Sequence, residues 1–378
     1  MSDLRKTLGK RIRLARERVG FTQDDLAQRA GLPALQTVSL IEKGEREVKA
    51  WELAKLAEVL HTDISEFLAS EEPNPMPAIL WRETPTTETK AKEAAFLQRC
   101  KQYAELEQLC GLSRQHEFPQ EEVDPNTIDF QDAEKLAVKS SNMFNLGARP
   151  ALSLEKTLEN RFGVKVWYND LERDGSAAST IGDFGPAILM NRTEAPWRRN
   201  YNFAHEVFHL LTWESIPAER LQSEPELKHR IEKIANAFAS HLLLPGDTLT
   251  VAFKEHVKGG FINYSDIIEL AREFDVSTEA LLYRLGKLRL VDRDDVESVL
   301  EDETFRESDR ATMHGHWREP PPMPERYVRL AFMAYKRGNL SRAKLTKYLN
   351  TSLFDLTDTL LEYGLDDRED YEAEVRTA

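Results

Sequence analysis

The sequence predicts an α+β protein, mostly helical, in three parts: an N-terminal bundle of five short helices, a central domain with a small sheet, and a helical C-terminal region. Three observations carry this expectation. Capped apolar stretches with helical period fill residues 4–69. Two short strand-like runs, VKVWY (164–168) and PAILMN (186–191), interrupt longer helical patterns in the middle of the chain. Helical periodicity then returns from Tyr264 to Tyr363. At 378 residues the chain is long for one core, so more than one domain is expected.

The elements follow in order. Residues 4–18 form a basic amphipathic helix; Thr22 caps a second, QDDLAQRA, that stops at Gly31. A third covers Leu35 to Glu42 and ends at Gly44, and two more occupy 50–60 and 63–69. Prolines at 73, 75, 77 and 85 mark a linker, partly extended, before a helix from Lys90 to Leu109 and an irregular joint from Gly111 to Asn126. Helices at 130–146 and 151–162 precede the first strand, and a Gly/Ser turn region precedes the second. Helices at 198–213 and 224–244 follow, the latter opened by Ser223, Pro225 and Glu226. The domain boundaries expected are therefore 1–70, a linker and connecting helix over 71–128, 129–250, and 251–378 with a helical pair at 264–288. Residues 291–312, rich in acids, read as loose, and the tail beyond Tyr363 as acidic.

Composition excludes several classes. No stretch approaches the roughly 18 unbroken apolar residues of a membrane span, so no membrane partner is expected. The charged start MSDLRKTLGKRIRLAR carries no export signal. Cys100 and Cys110 are too few for a disulfide framework or a cysteine metal site, which fits a reducing, cytoplasmic compartment. The net charge of −14 conceals an asymmetry. Residues 1–70 hold 12 Lys+Arg against 11 Asp+Glu, and seven basic residues against one acid lie between Arg5 and Arg18. A basic patch on an acidic protein can still bind DNA, because phosphate attraction is local and screened within about 10 Å.

The run His205-Glu206-Val207-Phe208-His209 carries the clearest chemistry. Residues four apart on a helix share one face, so His205 and His209 can grip one ion while Glu206 deprotonates water beside it. Zinc is the cofactor expected. A catalytic zinc needs a third protein ligand, and the helix ELKHRIEKIANAFASHLLLP supplies Glu232, with Asn236 one turn on to hold a ligand histidine in its tautomer. His229, one turn before Glu232, is a rival. Tyr201, His241, His256 and Tyr264 are open candidates for an oxyanion donor, and an extended substrate would pair with a sheet edge, here Ala187–Asn191.

These residues resemble the ImmA/IrrE zinc-peptidase family. The resemblance rests on PAILMNR, on RRNYNFAHEVFHLL with its Arg-x-x-Phe-x-x-Ala-His-Glu pattern, and on EKIANAFASHLLLP, and it spans roughly 130–245. It implies a zincin-like domain of gluzincin type, with Glu232 as the third ligand. One departure stands out: Phe208 occupies the place where the family has Gly, which implies a narrower or differently shaped pocket.

The N-terminal run FTQDDLAQRAGLPALQTVSLIEKGEREVKAWELAKLAEVL resembles the Xre/Cro-type helix-turn-helix, through Thr22-Gln23, Leu26-Ala27, Gly31, Val38-Ser39, Ile41-Glu42, Gly44 and Leu53-Leu56-Ala57. By geometry, Gln23, Gln36, Thr37 and Ser39 face the major groove of an operator in double-stranded DNA, with the basic first helix toward phosphates. The turn LPALQ reads one residue longer than usual, and the reading helix lacks an arginine for guanine. Together the two resemblances imply a DNA-binding regulator, expected as a homodimer, with a zinc endopeptidase domain that cuts a partner protein such as a repressor in stress or mobile-element and phage-defence control. The competing expectation is a transcription factor or antitoxin-like binding protein whose zincin domain is a sensor or docking scaffold without proteolysis.

Overall fold

The computed structural model describes residues 2–69, 76–83, 89–112, 117–171 and 175–366. The head comprises α1 (Ser2–Arg18), α2 (Gln23–Arg29), α3 (Leu35–Glu42), α4 (Ala50–Val59) and α5 (Ile64–Leu68), the five helices expected. Thr22 caps α2 in a full capping box with Asp25, and Gly31 turns the chain at φ +66°. Leu26, Ala27, Val38 and Ile41 are buried in the head's own core. α1 crosses α3 so closely that a Cβ on Gly9 would stand 2.3 Å from the Ile41 carbonyl oxygen, which requires glycine there. A polar latch fixes α3: Glu42 accepts from Arg16 at 2.6 Å and from Gln23 at 2.8 Å.

The linker does more than span a gap. Leu80–Trp81 forms β1, and α6 (Thr89–Leu109) follows. Then come α7 (Phe130–Phe144), α8 (Leu154–Phe162), β2 (Lys165–Asn169), β3 (Ala177–Gly182), β4 (Gly185–Asn191), α9 (Pro196–Leu211), α10 (Ala218–Ser223) and α11 (Pro225–Leu243). The sheet order is β1-β3-β4-β2, with β2 parallel to β4 and both other pairings antiparallel. The turn region expected before PAILMN contains a strand: AASTIG pairs with β4 from Ala177↔Met190 to Gly182↔Gly185. Its small and hydroxyl side chains hide strand character from an apolar pattern. Ala187–Asn191 is accordingly no edge. β4 is central and buried along its whole length, hydrogen-bonded on both sides.

Alternation divides the sheet between two layers. Leu80, Val166, Ala177, Ile188 and Met190 pack with α7, α8, α9 and α11 in the larger core. Trp81, Trp167, Ala178, Ala187 and Leu189 pack with α6 and the C-terminal helices in the second. Cys100 and Cys110 are free and buried there.

After α11 come α12 (Gly246–His256), α13 (Tyr264–Glu273), α14 (Thr278–Lys287), α15 (Arg293–Glu301), α16 (Glu303–His316), α17 (Glu325–Lys336), α18 (Arg342–Tyr348) and α19 (Leu356–Leu361). The acid-rich stretch expected to be loose is thus two helices. Val296 and Phe305 are buried in the larger core, and Arg272 pairs with Asp309 at 2.5 Å. Most of the acids decorate the solvent side of these helices. The helical pair at 264–288 shares the larger core with the sheet, while α17–α19 close the opposite layer. The acidic tail expected beyond Tyr363 lies, from residue 367, outside the described residues. Among the described residues no helix is long and apolar enough to cross a membrane.

Candidate metal centre

Helices α9 and α11 run antiparallel, as the contacts His205–Asn236 and His209–Glu232 show by their opposed numbering. Both begin with proline in the first turn, at Pro196 and Pro225, where a missing N–H costs nothing. Phe203, Ala204, Val207 and Phe208 from α9 meet Ile231, Ala235, Phe238 and Ala239 from α11 in the larger core. This packing brings three ligand-type side chains together. His205 Nε2 and His209 Nε2 lie 3.1 Å apart, Glu232 Oε2 is 3.0 Å from His205 Nε2, and Glu232 Oε1 is 3.5 Å from His209 Nε2. His205, His209 and Glu232 are the only such group of three among the described residues, their donor atoms within 4.8 Å of one another.

The tautomer of His205 is fixed by a chain of donors. Arg82, which can only donate, gives Nη2–H to Asn236 Oδ1 at 3.1 Å, so that atom is the amide oxygen. The same oxygen lies 3.0 Å from His205 Nδ1, which must therefore carry the proton. His205 Nε2 is left with its lone pair turned toward His209 and Glu232, as a ligand requires. Burial lowers the His205 pKa to about 4, which keeps the ring neutral. For Glu232, burial opposes ionisation, but the hydrogen bonds and charges of the two histidines outweigh it and hold the carboxyl well below the usual range. His209 is raised: burial disfavours its charge, and Glu232 and Glu206 overcome that.

Glu206 sits on the same helix facing the sheet. Ser179 of β3 donates to its Oε2 at 2.6 Å, and burial raises the carboxyl to about 7, against the pull of His209 and Ser179. Its Oε1 is buried without a hydrogen-bond partner, and the equally buried Glu232 Oε1 has only the long 3.5 Å contact with His209. Unpartnered buried carboxylate oxygens beside two converging imidazoles fit a cation and its water, because such atoms otherwise cost free energy for nothing. The residues present therefore suit a zinc ion held by two nitrogens and a carboxylate.

The other sequence candidates fall as follows. His229 is exposed and outside the cluster. Tyr201 donates to the Asn236 carbonyl at 2.7 Å, so of the four oxyanion candidates it is the one tied to a residue holding His205. His241 pairs with Glu134, His256 lies against the Ala252 carbonyl, and Tyr264 packs on Phe305. Phe208 is fully buried, its ring 5.6 Å from that of Phe238 and 5.6 Å from that of His209. In the head, Gln36 is exposed and Thr37 and Ser39 half-buried on α3, while the Gln23 amide is engaged with Glu42. Sequence reasoning missed Ser179 and Arg82. The first lay in a stretch read as turn and the second in a stretch read as linker.

Residues 159–286 match a family model described as the IrrE N-terminal-like domain, and residues 7–68 match one described as a helix-turn-helix domain. The chain is a helix-turn-helix domain fused to an ImmA/IrrE-type domain. The IrrE-type match takes in the helical pair at 264–288 almost whole, in keeping with the core that pair shares with the sheet. No curated protein matches the chain. Among solved structures, a Mycobacterium tuberculosis transcriptional regulator is similar over 49% of this chain and 51% of its own, at 18% identity and a TM-score of 0.31. The chain thus spans about half the length of that relative. A helix-turn-helix head beside an IrrE-type domain supports DNA binding and a role in transcriptional regulation.

Proposed function

We propose that the chain is a DNA-binding regulator whose IrrE-type domain is a zinc-dependent endopeptidase that cuts a partner protein, such as a repressor. The observation that carries this reading is Glu206: a buried carboxylate with one oxygen held by Ser179 and the other unpartnered beside His205, His209 and Glu232. A scaffold that merely held an ion would have no use for that oxygen.

His205, His209 and Glu232 would hold the metal, and Asn236 orients His205. Bound zinc supplies a Lewis acid that acidifies water and polarises a scissile carbonyl. Glu206 Oε1 accepts the proton from water and returns it to the leaving amine. Ser179 keeps that carboxylate from swinging away by holding Oε2. Gln36, Thr37 and Ser39 on α3, with Gln23 at the start of α2, are the candidate contacts to the operator, read by two copies of the head as a homodimer.

The test is purification of the full chain with a co-encoded neighbouring protein, followed by metal analysis and mass mapping of any cut. Near one zinc per chain is expected, and Glu206→Gln should retain zinc while cleavage falls by about 10²–10⁴. Unchanged cleavage in Glu206→Gln, or absence of zinc with His205→Ala equally stable, would overturn the reading. Normal promoter control by the Glu206→Gln protein would favour a binding protein that does not cut.

A further inference from the structure

The edge of the sheet above Glu206 is already occupied. β3 is paired with β4 from Ala177 to Gly182, and its other edge carries only β1, with Leu80 opposite Ser179 and Trp81 opposite Ala178. An open strand edge beside a peptidase site is where an extended substrate pairs through main-chain bonds. Here a segment of the same chain lies there, antiparallel. We infer that Ala78–Arg82 is a built-in substrate mimic, a strap that fills the peptide-binding edge of β3 and must leave before an extended protein segment with an apolar residue opposite Ser179 can bind. The inference rests on the peptidase reading for what the edge is used for, though not for the strap's position.

Directly opposed residues of an antiparallel pair project to the same face. Ser179 faces Glu206, so Leu80 projects toward α9, and it is buried in the core that contains Phe203 and Val207. That is the place of a substrate side chain next to the scissile bond. Besides the burial of Ile79, Leu80 and Trp81 and the Trp81 indole bond to Glu93, the strap's main chain is fastened in two ways. Toward β3, the Arg82 N–H donates to the Ala177 carbonyl and the Thr180 hydroxyl to the Ala78 carbonyl. On its outer side no strand follows among the described residues; the Ile79 and Trp81 carbonyls are held by the Gln222 and Lys228 side chains. Side-chain bonds of this sort are replaced by water at little cost when a segment lifts.

Arg82 joins the strap to the metal site itself, donating to Asn202 Oδ1 at 2.5 Å and to Asn236 Oδ1 at 3.1 Å, the oxygen that orients His205. With the strap in place His205, Glu206 and His209 are buried, so a substrate carbonyl has no open approach along this edge. The strap also stands in the chain between the head and α6, and α6 is bonded to the head through Gln98–Asp63 and Lys101–Glu66. Movement of the head on DNA is therefore connected by a short stretch of chain to the cover of the site.

Leu80 and Arg82 flank Trp81, whose partner Ala178 sits at the non-hydrogen-bonded register, since Arg82–Ala177 is bonded; such pairs bring Cα atoms within disulfide range. The full-length Trp81→Cys/Ala178→Cys protein can thus be pinned by oxidation and freed by reduction. The first readout needs no activity: carbethoxylation of His205 and His209 by diethyl pyrocarbonate in the metal-free chain, mapped by mass spectrometry with exposed His229 as internal standard. Oxidation should slow modification by about tenfold or more, and Arg82→Ala should raise it above wild type. Equal rates in the oxidised and reduced forms, with the disulfide verified, would overturn the strap. Should the cysteine pair fail to fold, Arg82→Ala alone decides, an unchanged rate counting against the strap. In the zinc-loaded protein, cleavage of fluorogenic peptides should switch off on oxidation. Histidine protection that responds without peptide cleavage in any form would retain the strap as a cover and defeat the peptidase reading alone.

Discussion

The two walls of the candidate metal centre are built on opposite plans. The helical wall, α9 against α11, is closed chemistry: Asn236 orients His205, Glu232 lies against both histidines, and the apolar side chains around them belong to the largest core described. The strand wall is one hydroxyl, Ser179, on a strand of small residues, covered by a two-residue strand. The first wall can be preorganised because nothing has to pass through it. On the peptidase reading the second has to admit a polypeptide, and it is made of main chain paired to a two-residue strand. The comparison teaches that metal affinity and substrate access are separable in this fold, and substitutions on the two walls should separate them.

The largest effect is expected on the helical wall. Glu232→Ala removes one of three ligands and leaves two facing imidazoles; zinc affinity should fall by about 10³-fold, roughly 4 kcal/mol, in a chelator competition. A loss under tenfold would mean that another residue supplies the third ligand. Asn236→Ala is milder, because it frees the tautomer of His205 without removing a ligand. Affinity should drop about 10–100-fold, the range for such outer partners.

On the strand wall the signature reverses. Ser179→Ala leaves all three ligands intact, so zinc affinity should stay within about twofold while kcat falls about tenfold, the worth of one charge-assisted hydrogen bond. A parallel fall in zinc affinity would show that the two walls are one unit.

The same division explains what could be read in the sequence. The helical wall announces itself in part: histidines four residues apart, an apolar stripe and Pro225 in the first turn of α11 follow local rules. Yet α11 is capped at Glu224 without a side-chain bond and not by Ser223 as expected, and the sequence alone left Glu232 beside His229 as its rival. The head is legible for the same reason, its caps and glycine turns being local. The strand wall is not. Ala177-Ala178-Ser179-Thr180 carries no alternating apolar pattern, and its strand exists because β4 supplies a partner on one side and β1 on the other. Leu80–Trp81 sits in a proline-marked stretch whose pairing is about 100 residues distant in sequence, which no window can register. The acid-rich helices α15 and α16 escape because a few buried side chains, Val296 and Phe305, outweigh a polar composition.

The sheet's neighbour α8 offers the smallest test, and one that is independent of metal. Glu159 is buried on α8, where Tyr103 of α6 donates to it at 2.8 Å. Burial raises its carboxyl to about 7, and the nearby Glu155 adds to the shift. Between the unfolded value near 4.5 and about 7, the folded chain therefore holds more protons than the unfolded chain at this group, so its contribution to stability falls as pH rises through that window. Glu159→Gln keeps an acceptor for Tyr103 and has no charge to bury. At pH 8 the variant should be more stable than wild type by about 1 kcal/mol, less than the full shift implies because a buried amide brings two donors that need partners. Below about pH 4.5, where wild-type Glu159 is protonated in both states, that advantage should vanish. Denaturant midpoints at pH 4.5 and pH 8 decide it: a difference independent of pH would mean that Glu159 titrates as an ordinary carboxyl. An advantage confined to alkaline pH, with zinc affinity unchanged, would place the charge in the structural layer behind the sheet rather than in either wall of the metal centre.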